Sequence, residues 1–115
     1  MKYTKRDGEI VVFFLKRTLC PSAKLIGSLY DKGESDHDID ILLEADDDGN
    51  IEISDFDKTY SVSIVTLGNW DMFGKVVMKL LEAKSYEKTD WGGYYFHDTF
   101  FGDIDIFFST KDFDY

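Results

Sequence analysis

Cysteine and proline are nearly missing from this 115-residue chain, which has one of each. A lone Cys20 cannot close an internal disulfide, which suits a reducing, cytoplasmic setting. No CxxC pair, Ser-His-Asp arrangement, Walker-type loop or GxGxxG run occurs. Long apolar runs are missing too: residues 10–15 form a stretch too short to span a bilayer, so no membrane contact is expected. A basic start, Lys2, Lys5 and Arg6, precedes that stretch, but no small-residue cleavage site follows it, so it reads as core rather than as a signal peptide. Basic residues are scarce: 13 Lys and Arg stand against 23 Asp and Glu, for a net charge of −10. Apart from Lys2, Lys5, Arg6 and the pair Lys16-Arg17 there is no cationic cluster. That balance weighs against unaided binding to a long nucleic-acid backbone.

What is present is apolar and aromatic. Hydrophobic residues make up 43% and aromatics 17%, which places the chain among globular domains. The length fits one domain over residues 1–115 with a modest core. Asp7 is a plausible helix N-cap and Cys20-Pro21 a plausible stop, with Ile10, Phe13, Phe14 and Arg17 at rough helical spacing. Strands are expected at 23–26, 39–44, 51–53, 60–66, 86–89, 94–99 and 103–109. The acidic stretch 46–50 is a turn that would pair 51–53 back onto the preceding strand. A helix capped at Asn69 or Asp71 runs to about residue 84, with Phe73, Val76, Val77, Leu80 and Leu81 on one face. The order predicts an α/β (α+β) fold, a mixed β-sheet with helices packed mainly on one face.

The richest stretch joins Gly27-Ser28 to Asp38-Ile39-Asp40-Ile41. Successive strand residues point to opposite faces, so Asp38 and Asp40 share one face and Ile39 and Ile41 the other. Adjacent carboxylates raise each other's proton affinity, and a divalent cation between them removes that cost. Mg²⁺ suits such a site, because it binds through one or two carboxylates plus substrate phosphates. Gly27 lets backbone approach a phosphate closely, and Ser28 offers a hydroxyl to it. A short helix beginning near Ser28 would aim its first N–H groups the same way.

The stretch GSLYDKGESDHDIDILLE resembles the nucleotidyltransferase superfamily that includes DNA polymerase beta. It looks most like the minimal nucleotidyltransferases and the archaeal CCA-adding enzymes. The likeness spans roughly residues 8–110. It implies a nucleotidyltransferase-fold catalytic palm and a third carboxylate on a neighbouring strand. Asp105, within Gly102-Asp103-Ile104-Asp105-Ile106, fits best, with Asp103 on the same strand face as the other candidate. The implied catalytic and metal-binding set is Asp38, Asp40 and Asp105, holding Mg²⁺ or Mn²⁺. The implied nucleotide-binding set is Gly27, Ser28, Lys32 and Ser35, with Lys32-Gly33 matching a basic-Gly pair common in the family.

The resemblance implies transfer of a nucleoside monophosphate from an NTP, with ATP the expected donor, to a hydroxyl acceptor. Minimal members are often paired with a helical toxin protein that they modify at a tyrosine. An acidic chain favours a protein or small-molecule acceptor. A tRNA or other RNA 3′ end is the alternative, and a non-catalytic binding or antagonist module is the third.

Other features read more plainly. His37 beside the carboxylates is a loop residue. Residues 44–55 echo a calcium loop, but their flanks read as strands where that loop needs helices. Trp70, Trp91, Tyr94, Tyr95 and Phe96 are expected to pack in the core or on the sheet, with base stacking the alternative.

Overall fold

Alternating apolar residues line up five strands around one core in the computed structural model, which describes residues 2–55, 58–69, 71–89 and 93–110. In chain order the elements are β1 (Tyr3–Thr4), α1 (Lys5–Thr18), β2 (Ala23–Ile26), α2 (Gly27–Lys32), β3 (Glu34–Ser35), β4 (Ile39–Ala45), β5 (Asn50–Asp55), β6 (Lys58–Ser63), α3 (Ile64–Asn69), α4 (Asp71–Leu80), β7 (Ser85–Lys88), β8 (Tyr94–Thr99) and β9 (Gly102–Thr110). The fold is mixed α+β. Its main sheet has the order β2-β4-β9-β8-β7. Only the central β4–β9 pair is parallel; the other three pairings are antiparallel.

One face of the sheet is apolar. Ile39, Ile41 and Leu43 of β4, Ile104 and Ile106 of β9, and Tyr94 and Phe96 of β8 are fully buried there. Val11 and Leu15 of α1, and Phe73 and Val77 of α4, belong to the same core. Phe73 packs its ring against Tyr94 and Phe108, with centroids 5.2 and 5.3 Å away. The opposite face carries Asp40, Leu42 and Glu44 on β4, Asp103 and Asp105 on β9, and Tyr95 and His97 on β8.

Several local expectations change. Thr4, not Asp7, caps α1: the Asp7 N–H donates to the Thr4 hydroxyl, and the Asp7 carboxylate accepts from the Thr4 N–H at 2.8 Å. This reciprocal box satisfies two donors that the helix start would otherwise leave open. The buried stripe of α1 is Gly8, Val11 and Leu15, so Ile10 and Phe13 face outward. The acidic turn at 46–50 forms, with the Asp46 carboxylate accepting from the N–H groups of Asp48 and Asn50. Yet β5 does not fold back onto β4; it pairs with β6 as a separate two-stranded ribbon. The strand expected through 60–66 stops at Ser63, whose hydroxyl accepts from the Val65 N–H at the start of α3. The short strands β1 and β3, which pair with each other, were not expected from the sequence. The readings of Trp70 and Trp91 fall outside the described residues.

Candidate metal centre

Parallel pairing of β4 with β9 sets Asp40 directly opposite Asp105. Asp38 stands just ahead of β4, held where the Ser35 hydroxyl accepts from the N–H groups of His37 and Asp38, each at 3.4 Å. One carboxylate oxygen each from Asp38, Asp40 and Asp105 lies within 4.8 Å of the others. Asp38 and Asp40 are half-buried, whereas Asp105 is only 8% exposed. Asp103 does not join them; its Oδ1 accepts from the Asp98 N–H at 3.0 Å.

The electrostatics follow from crowding. Burial, then the charge of Asp38 and a hydrogen bond with it, pushes Asp40 up to about 7. Burial, a hydrogen bond with Asp38 and the charges of Asp38 and Asp40 push Asp105 up to about 8. Oδ1 of Asp105 is buried and has no hydrogen-bond partner. A buried carboxylate oxygen without a partner costs free energy. Three clustered carboxylates, one of them with an unsatisfied oxygen, form a donor set suited to Mg²⁺ or Mn²⁺.

Gly27 adjoins this cluster. Its φ of +73° is natural only for glycine, and a Cβ there would run into Oδ2 of Asp40. Ser28 is exposed in the first turn of α2, which has no side-chain cap at its start. Lys32 is exposed in the last turn of α2 and makes no ion pair among the described residues. Ser35 sits in β3, and its hydroxyl is engaged with the backbone leading into Asp38. His37 is exposed beside it.

Two tyrosines at this site were not singled out for it by sequence reasoning. Tyr3, on β1, accepts at its hydroxyl from the Asp103 N–H at 3.0 Å, which ties the β1–β3 pair to the start of β9. Gly102, with φ +108°, makes room for the Tyr3 ring. No motif marks Tyr3; only its contact across the fold does. Tyr95 lies opposite Asp105 on the same sheet face. Burial, then the nearby Asp103, Asp38 and Asp105, keeps its phenol protonated well above the usual range. Its position two residues before His97 on an alternating strand was the available signal, and the two rings stand 4.4 Å apart.

No protein-family model, curated protein or solved structure matches the chain.

Proposed function

We propose that the chain is a metal-dependent nucleotidyltransferase that moves a nucleoside monophosphate, AMP from ATP in the first instance, onto a hydroxyl of a protein or small-molecule acceptor. The observation that carries this reading is the carboxylate trio, with the partnerless Oδ1 of Asp105 inside it. The spacing from Gly27-Ser28 to Asp38 and Asp40, and its resemblance to nucleotidyltransferases, supplies the reaction class.

Asp38, Asp40 and Asp105 would hold the cation. Bound there, Mg²⁺ or Mn²⁺ supplies Lewis-acid activation of the attacking hydroxyl and neutralises phosphate charge. Gly27 keeps the space before Asp40 clear of side chain, so phosphate can approach the backbone. Ser28 donates its hydroxyl to a phosphate oxygen. The acceptor oxygen attacks the α-phosphorus, the bond to the β-phosphate oxygen breaks, and pyrophosphate leaves. Asp105, in the same carboxylate cluster, would take the acceptor's proton. The acidic balance of the chain favours an acceptor other than a nucleic-acid backbone.

The test is transfer from α-labelled ATP into a cell extract with Mg²⁺ or Mn²⁺, comparing the wild type with the Asp38→Asn/Asp40→Asn pair. Wild-type-only label that resists nuclease but not protease supports protein modification. Label removed by nuclease replaces the acceptor with RNA. Absence of label above the double variant with every NTP refutes transfer and leaves a binding module.

A further inference from the structure

On the helix side of the sheet, away from the carboxylates, two cavities of about 470 and 610 Å³ meet at Leu19, Ser54 and Val76. Together they form one trough, open to solvent, among the end of α1, the β5–β6 ribbon and α4. Ile53, Val62 and Phe73 line its apolar part. Two of its lining residues are well exposed, Val76 by 44% and Tyr60 by 46%. Arg17 and Lys79 line one end. Arg17 touches the Phe13 ring at 4.4 Å, and neither cation has an acidic partner among the described residues. In a chain with 23 acids to 13 bases, two cations at one end of an apolar trough run against the overall balance.

We propose that this trough docks an amphipathic helix of another protein, its apolar side chains inward and its Asp or Glu flank against Arg17 and Lys79. Charge complementarity selects the acidic flank. An open trough suits a row of helix side chains, whereas a lone acyl chain is better covered by an enclosed cavity. A second copy is the weaker occupant, because its two longest helices, α1 and α4, both end in basic residues. The proposal does not depend on the catalytic reading, since none of the carboxylate trio lines the trough.

The probe is a fluorescein-labelled peptide of about 16 residues, roughly 24 Å long as a helix. It carries Leu at i, i+3, i+4 and i+7 spacing, Ala and Gln elsewhere, and Glu on its flanks. A twin carries Lys in place of Glu. Anisotropy titrations use the full chain. The global charge favours the Lys twin, so only a local cationic trough makes the Glu peptide bind about tenfold more tightly. Arg17→Glu/Lys79→Glu is expected to weaken the Glu peptide about tenfold and to strengthen the Lys twin. Val76→Glu, at an exposed position, is expected to remove most binding of the Glu peptide. Preference for the Lys twin, indifference to the charge reversal, or no binding of the Glu peptide up to millimolar concentration overturns the proposal. So does stoichiometric oleate binding lost in Val76→Glu, which makes the trough an acyl site. Self-association in sedimentation lost in the same variant assigns it instead to a second copy and overturns it as well.

Discussion

Replacing Asp105 by Asn is expected to stabilise the metal-free protein at alkaline pH. In the unfolded chain Asp40 and Asp105 titrate near the ordinary carboxylate value of 3.8; in the folded protein they are raised to about 7 and about 8. Between those limits the unfolded state has released protons that the folded state retains. The stability that these two groups contribute is therefore fully present below about pH 4 and is lost as pH rises through 7 and 8. Each tenfold gain in proton affinity on folding corresponds to about 1.4 kcal/mol, so the trio is capable of a large effect. Asp40 is only half-buried, and solvent screening discounts its share heavily. The loss in the wild type between pH 5 and pH 8.5 is taken as about 2–4 kcal/mol.

Asp105→Asn removes the more buried carboxylate, the one raised further. The variant is expected to gain about 2–3 kcal/mol on the wild type at pH 8.5 relative to their difference at pH 5. At roughly 4 °C per kcal/mol for a domain of this size, that is a differential of about 8–12 °C in Tm. Melting curves by circular dichroism in EDTA at pH 5, 7 and 8.5 read it directly. Adding Mn²⁺ then offsets the variant's gain, because a cation at about 100 times its Kd contributes about 2.7 kcal/mol to the wild type alone. Parallel Tm–pH curves for the two proteins in EDTA would refute the raised proton affinity of Asp105.

Gly27→Ala places a Cβ against the Asp40 carboxylate and leaves alanine at positive φ. It is expected to cost at least about 1–2 kcal/mol in urea unfolding and to abolish the Mn²⁺-induced rise in Tm; an unchanged rise separates Gly27 from the site. Tyr3→Phe removes the acceptor for the Asp103 N–H and is expected to cost about 1–3 kcal/mol, with the same circular dichroism spectrum. Equal urea midpoints for that pair would show the β1–β3 link to be idle. Cys20 is buried, and burial raises its thiol above the usual range, so it should react with a disulfide reagent only as fast as the protein unfolds. Immediate labelling in native buffer contradicts the packing around Leu15 and Leu19.

Legibility in the sequence tracked how local each cause is. Ile39 and Ile41 alternate with Asp38 and Asp40, and the strand places them on opposite faces as that period dictates. The choice between Asp103 and Asp105 is open in sequence, because both point the same way. Only the pairing of two segments some 60 residues apart decides which one meets Asp40. The same limit explains the ribbon. The turn at Asp46 is local and legible, but the destination of β5 depends on pairing with β6 rather than β4. For α1, Ile10 and Phe13 look like core by type, yet both face outward while the Gly8–Val11–Leu15 stripe faces inward. Gly8 lies where a Cβ would meet the Leu25 side chain, so close approach to β2 turns the helix that way. Capping by Thr4 needed only the Thr4–Asp7 spacing, but an acid three residues into a helix also looks like a cap in its own right.

The carboxylate trio and the hydrophobic core are one constraint seen from two sides of the sheet. A slip of one residue between β4 and β9 would turn Asp105 towards the helices and Ile104 and Ile106 away from them. That slip strands a carboxylate among Phe73, Val77 and Leu15 and exposes two side chains that are now fully buried. Mutual repulsion among the three acids pushes the sheet in the opposite sense, towards separation. Apolar register therefore holds the acids together against their own charge. Substitutions that loosen the Ile41–Ile106 pairing should spread the carboxylates, even though neither residue touches the open face. Ile106→Val, which removes one methylene group and keeps the β-branch, is the mildest such change and typically costs about 0.5–1.5 kcal/mol. Its Mn²⁺ affinity should fall along with its stability in EDTA. If affinity stays constant while stability drops, the trio is positioned by its own loop contacts, through Ser35 and Gly27, rather than by the core.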